Sequence, residues 1–212
     1  MKMKKLVAVA MIAVLPVLSL ASTYDELIQG ARMGDSKAIA SLLGRGASVD
    51  TTDIDGNTLL MLAARDGHVQ LTELLINSRA KLNARNAAGD TALALAALRG
   101  HEKVVELLLK ADASQGIPGW PPLVYAALNG HQGIVALLIA HGGDINAVSE
   151  GGMSALMAAA RGGHLSIVNA LLEAGANTEL RTDRGESALD IAQRFNNTDI
   201  ANRLRNPAKS AR

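Results

Sequence analysis

The chain has 212 residues, 49% hydrophobic but only 2% aromatic, so Ala and Leu carry most of its apolar surface. Thin side chains of that kind suit closely packed helices better than a bulky core or a sandwich. There is no cysteine, which excludes disulfides, thiolate chemistry and cysteine-ligated metals, and a formal charge of +1 supplies no basic excess for nucleic acid.

In chain order, Lys2, Lys4 and Lys5 precede an uncharged apolar run of 15 residues, Leu6 to Leu20. Spanning a bilayer takes about 20 apolar residues. Ser19-Leu20-Ala21 also places small residues ahead of a cut between Ala21 and Ser22. Residues 1–21 therefore read as a cleaved secretory signal rather than a membrane anchor. No Cys lies near the cut to carry a lipid, and the short lysine-rich start points to a bacterial periplasm. Cleavage removes three lysines and no acid, leaving 18 basic against 20 acidic side chains. Nucleic acid is thus excluded as a partner of the exported chain.

Beyond the signal the sequence repeats. Gly-His pairs end at His68, His101, His131 and His164, with spacings of 33, 30 and 33. The units run approximately 24–52, 53–85, 86–115, 116–148, 149–181 and 182–205, and residues 206–212 are expected to form a flexible tail. In the first unit Gly34-Asp35 replaces Gly-His, and in the last Asn196-Asn197 does so. Thr58, Thr91, Ser154 and Ser187 stand as N-caps ahead of Ala-rich helices, and Gly67, Gly100, Gly130 and Gly163 close them. A second helix follows with clustered aliphatics such as Leu74-Leu75-Ile76 and Leu107-Leu108-Leu109. Val49, Leu82 and Ile145 then precede an Asp or Asn that opens a turn. The pattern predicts an all-α solenoid of about six helix-turn-helix units joined by β-hairpin-like loops. Its core exists only through stacking, and its end units are more polar.

These recurring residues resemble the ankyrin repeat, from Tyr24 to about Leu204. The sequence departs at the family's Thr-Pro-Leu-His tetrapeptide. Its Pro position reads Leu59, Ala92, Pro122, Ala155 and Ala188, and its His position Met61, Ala94, Val124, Met157 and Asp190. These losses are expected to cost capping and hydrogen bonds without disturbing the apolar pattern. The resemblance implies that the Gly-His histidines bond backbone where helices meet hairpins. It also implies that another protein is bound on a concave side of hairpin tips and first helices.

Stacked units hold equivalent histidines on the order of 10 Å apart, too far to share a zinc ion with ligands at about 2 Å. His141 lies outside the motif, in an exposed turn. No G-x-S-x-G, G-x-x-x-x-G-K-[ST] or H-E-x-x-H occurs, and Asp53 and Asp55 read as solvated turn residues. No enzyme activity and no cofactor are expected.

The binding surface is sought where the units differ. The tip positions are Asn57, Asp90, Trp120, Met153 and Glu186. One turn into the helix come Leu62, Leu95, Tyr125, Ala158 and Ile191. Trp120, Tyr125, Leu128 and Met153 are expected to converge at the middle of one face, flanked by Arg65, Arg99 and Arg161. Trp, Tyr and Arg anchors of this kind carry most of the energy in protein contacts. A second reading has Trp120 filling space left where the fourth unit lost three residues, with Pro121 and Pro122 replacing a Thr cap. The expected role is a monomeric, non-catalytic binding module for another periplasmic protein. Two alternatives are an accessory or cofactor-delivery factor for an exported metalloenzyme or haem enzyme, using His141, and an immunity-type inhibitor of a secreted toxin.

Overall fold

The computed structural model describes residues 15–206, with side chains described from Thr23. The basic start at Lys2–Lys5 and the tail beyond Asn206 lie outside the described residues. Among the described residues twelve helices form six antiparallel pairs: α1 (Leu15–Met33) with α2 (Ser36–Gly44), α3 (Leu59–Asp66) with α4 (Val69–Asn77), and α5 (Ala92–Arg99) with α6 (Glu102–Lys110). The others are α7 (Pro122–Leu128) with α8 (Gln132–Ala140), α9 (Ala155–Gly162) with α10 (Leu165–Glu173), and α11 (Ala188–Arg194) with α12 (Thr198–Arg205). First helices stack on first helices and second on second, giving two layers with one core between them. Helix α1 begins before Tyr24 and continues through the expected cut at Ala21–Ser22. No helix among the described residues is long and apolar enough to cross a membrane.

Local chemistry sets the helix starts. Thr58, Thr91, Ser154 and Ser187 each accept the N–H three residues on, satisfying one orphan donor of the first turn. In the fourth unit Pro121 occupies the cap and Pro122 the first helical position, with no side-chain cap bond. A proline there gives up a donor that is unpaired in any case. The altered tetrapeptide costs less than expected in two units. Met61 Sδ accepts the Thr58 N–H at 3.4 Å, and the Asp190 carboxylate accepts the Ser187 N–H at 2.9 Å. Both complete a capping box by other means.

The Ala pairs Ala63-Ala64, Ala96-Ala97, Ala126-Ala127 and Ala159-Ala160 are fully buried. Small side chains at these positions bring neighbouring first helices close together, which fixes how the fingers line up. The loops are hairpin-like but carry only two isolated bridges, Thr52 with Thr58 and Val148 with Ser154. The loop before α7 is shorter than the others, spanning 111–121 where the loop before α9 spans 141–154.

One core residue breaks the rule that buried polar groups are paired. Thr72 is fully buried in α4, and its hydroxyl has no partner among the described residues. Val105, Val135 and Val168 occupy the same position in later units. Thr72→Val should therefore stabilise the fold by about 1–2 kcal/mol, because it removes an unsatisfied hydroxyl at nearly constant shape. Urea unfolding should register this as a higher midpoint with unchanged slope.

Candidate functional site

The histidines of the repeat tie each unit to the one before it. His68 Nε2 bonds the Arg32 carbonyl at 2.9 Å, His101 that of Arg65 at 2.9 Å, His131 that of Leu98 at 3.3 Å and His164 that of Leu128 at 3.1 Å. Each carbonyl lies in the last turn of the preceding unit's first helix, where acceptors are otherwise orphaned. The partners are backbone groups, as the resemblance implied, and since each lies in the preceding unit the bond joins units. Asn197 does the same work in the last unit, donating to the Ala160 carbonyl at 2.7 Å. His141 Nδ1 instead meets the Leu137 carbonyl of its own helix. Among the described residues no group of three or more His, Cys, Asp or Glu is placed to hold an ion.

On the finger side of the solenoid, Trp120 and Tyr125 stack with ring centroids 5.2 Å apart and planes inclined by 19°. Two features of the chain aim Trp120 there. Gly119, at φ 129, holds a backbone conformation that side chains rarely adopt, and a Cβ there would stand a tight 3.0 Å from the Gly89 carbonyl of the preceding finger. Buried Pro121 and Pro122 then fix the start of α7. Tyr125 Oη donates to Asp90 at 3.0 Å, tying the fourth unit to the third finger. Trp120 is half-buried and packs partly against the core. It does not line the cleft beside the shortened loop.

The position of Tyr125 is not a surface position in the other units. Leu62, Ala158 and Ile191 are fully buried there and Leu95 is 7% exposed. Only Tyr125 is half-exposed, because its phenol reaches out to Asp90. Burial raises the Asp90 carboxyl above its ordinary range, offset in part by the Tyr125 hydrogen bond and by Arg85. Burial together with the Asp90 charge pushes the Tyr125 phenol far above the ordinary tyrosine value. The phenol's folded pKa exceeds its unfolded one, so its contribution is present below about pH 10 and is lost as pH rises through the folded value. In a Tyr24→Phe background, phenolate absorbance should stay absent at pH 10–11 and appear together with loss of helical CD. An ordinary titration near pH 10 in the folded chain would show that the bond to Asp90 is not maintained.

Leu128 and Met153 are half-buried and pack against the same core. The three arginines do not form a uniform flank. Arg65 is closed onto its neighbour Asp66 by two bonds of 2.9 Å, which hold Asp66 below the usual carboxylate range. Arg161 lies over the ring of Phe195 at 5.5 Å, with Arg194 over the same ring at 5.0 Å and bonded to Glu186 at 2.7 Å. Arg99 and Arg161 are both exposed without an ion pair among the described residues, and of these two only Arg99 lies over no aromatic ring. Sequence reasoning placed Asp90 among the tip positions but missed its bond to Tyr125, and it missed Phe195 altogether. Phe195 had one signal, being the only phenylalanine in the chain.

At the second finger Asp53 is an organiser, accepting the N–H groups of Asp55 and Asn57 at 3.0 and 2.9 Å and a guanidinium nitrogen of Arg32 at 3.2 Å. Burial alone would raise its pKa, but these bonds, led by those from Asn57, outweigh it and hold the carboxyl low. It is a structural acid rather than a solvated turn residue.

The family model for ankyrin repeats (three copies) matches residues 27–118 and 123–211. Among solved structures, one titled "Bd0816 Predatory Endopeptidase from Bdellovibrio bacteriovorus in complex with immunity protein Bd3460" contains a chain 30% identical to this one. The match has a TM-score of 0.74 and covers 85% of this chain and 96% of that one. "Crystal Structure of EF0377 an Ankyrin Repeat Protein" matches at 28% identity and TM-score 0.74, with the same coverage of 85% and 96%. No curated protein matches. The chain belongs to the ankyrin-repeat family, whose members are protein-binding modules.

Proposed function

We propose that this protein is an exported, non-catalytic binding module that grips another protein through Trp120, Tyr125, Leu128 and Met153, with Arg99 at the rim. The observation that carries this reading is the Trp120–Tyr125 stack. It puts two large, partly exposed rings at positions where other units carry Asn57, Asp90, Met153 or Glu186 in the one case and buried Leu62, Leu95, Ala158 or Ile191 in the other. Such rings supply contact area at little entropic cost and are the usual anchors of an interface. Export rests on the lysine-rich start and the apolar run before Ser22. Cleavage there would leave the first helix to begin near Ser22 and keep its buried Leu27, Ile28 and Ala31.

A second, narrower reading is an immunity-type inhibitor of an exported endopeptidase. It is favoured by the structural likeness to a chain from a complex of an endopeptidase with its immunity protein. Affinity capture from the exported fraction tests both. Wild-type protein should retain a partner that Trp120→Ala/Tyr125→Ala does not. Under the narrower reading that partner is an endopeptidase, and it loses activity at one-to-one stoichiometry. Equal recovery on both proteins would remove the aromatic surface from the account, and a fully active captured endopeptidase would remove inhibition.

A further inference from the structure

The residues missing from the fourth finger leave positions whose normal occupants can be read in the other units. After α2, α4 and α8 the chain runs aliphatic, Asx and two more residues: Val49-Asp50-Thr51-Thr52, Leu82-Asn83-Ala84-Arg85 and Ile145-Asn146-Ala147-Val148. The aliphatic residue packs against the core. The Asx side chain accepts an N–H from the next unit: Asp50 from Lys81 at 2.9 Å, Asn83 from Ser114 at 2.9 Å, and Asn146 from Asn177 at 2.8 Å. Arg85 donates to the carbonyl of its own fingertip glycine, Gly89, at 3.1 Å, and Arg181 to that of Gly185 at 2.8 Å.

In the fourth finger these interactions are missing. Gln115 stands in the aliphatic place, and its amide donates to the His141 carbonyl at 3.1 Å. With the Asx deleted, the Asp144 N–H has no acceptor among the described residues. The bond that closes the other fingers, as from Asp53 N–H to the Asn57 carbonyl, has no equivalent across 116–120. Neighbouring fingertips are joined by Ala87 N–H to Asp55 and by Asp183 N–H to Gly151, but no such bond reaches the fourth finger from either side.

A cleft of about 230 Å3 lies between this open loop and the fifth finger, lined by Gln115, Ile117, Pro118, Leu123 and Val148 among others. Val148 is 45% exposed. The cleft is smaller than the roughly 300–1,000 Å3 that drug-sized ligands occupy, and suits a few residues of extended chain. Asp144 lines it and Asp112 lines the adjoining depression. Neither acid is in an ion pair among the described residues.

We propose that this cleft receives an extended segment of the partner protein with the pattern aliphatic–Asx–x–Arg, which supplies in trans what the fourth finger lacks. Its aliphatic side chain packs on Leu123 and its Asx accepts the Asp144 N–H. Its guanidinium meets the Gly119 carbonyl and balances the charge of Asp112 and Asp144. Strand-like completion of an incomplete element is a recurring mode of peptide recognition. The inference rests on the protein-binding reading above and adds a second point of contact to it.

The probe is this chain's own third-finger segment, acetyl-Lys-Leu-Asn-Ala-Arg-amide, titrated to millimolar concentration into the isotope-labelled full chain. The Asp144 amide resonance should move, and its hydrogen exchange should slow by about tenfold or more. A peptide with Ser for Leu, or Ala for Asn, should do neither. Inserting Leu-Asn-Ala between Ser114 and Gln115 puts Leu in the aliphatic place and Asn in the Asx place, and should close the cleft and abolish the response. Trp120→Ala/Tyr125→Ala should still respond, because neither ring lines the cleft, so the two contact points are tested separately. No movement of Asp144 at millimolar peptide, or an equal response to the Ser peptide, overturns the proposal.

Discussion

Gly100→Ala should destabilise the solenoid by about 3 kcal/mol, seen as a lower urea midpoint at unchanged slope. Gly100 caps α5 at φ 82, a conformation that costs a residue with a Cβ about 1–2 kcal/mol. The remainder comes from the next unit. A Cβ at Gly100 would stand 2.6 Å from His131 Cε1, so the ring must withdraw and its bond to the Leu98 carbonyl breaks. Gly175→Ala is the control, with φ 89 and nothing within 4 Å of the added atom. It should lose only the conformational part. In a His131→Ala background, Gly100→Ala should cost no more than Gly175→Ala does. The same geometry recurs at Gly34 with His68, Gly67 with His101 and Gly130 with His164. Gly-His is therefore a latch read across units, in which each glycine makes space for the following unit's histidine.

Trp120→Ala/Tyr125→Ala should weaken partner binding by about 100-fold or more, since central aromatic anchors are often worth 2 kcal/mol or more each. The variant should still fold. Both rings are half-exposed, and the losses are the stack, one hydrogen bond to Asp90 and part of the Trp120 packing. Together these should lower stability by about 1–3 kcal/mol, within the range of ordinary single substitutions. Tyr125→Phe separates the two contributions, keeping the stack while removing the bond to Asp90. Removal of Arg99 should matter less than loss of either ring, because a rim charge mainly changes association rate and salt dependence.

Much of this molecule is legible in the order of its residues, because a repeat states the same rule several times. The caps at Thr58, Thr91, Ser154 and Ser187, the closing glycines and the buried Ala pairs all follow from local chemistry at a fixed spacing. Features that join one unit to another are harder to read. Asp90 and Tyr125 meet across 35 residues, at positions that are not equivalent in the repeat, so periodicity gives no sign of the bond. The replacement of the tetrapeptide's capping role by Met61 and Asp190 depends on side-chain direction, which spacing does not fix. Variation across units was also an imperfect guide to exposure. Leu62, Leu95, Ala158 and Ile191 differ in identity yet are all buried, and only the departure at Tyr125 reaches the surface. The arginines at positions 65 and 161 were legible as residues, but not their closure onto Asp66 and Phe195. A deletion confined to three residues was visible at once, whereas the cleft it opens needed the fifth finger in place beside it.

The central claim is that the Trp120–Tyr125 surface holds a protein partner, and a binding isotherm of the captured partner tests it most directly. Wild type and Trp120→Ala/Tyr125→Ala should be titrated side by side, each with a thermal melt by CD. The account predicts one-to-one binding to wild type and an affinity lower by about 100-fold for the folded double variant. Equal affinity for both folded proteins would contradict it.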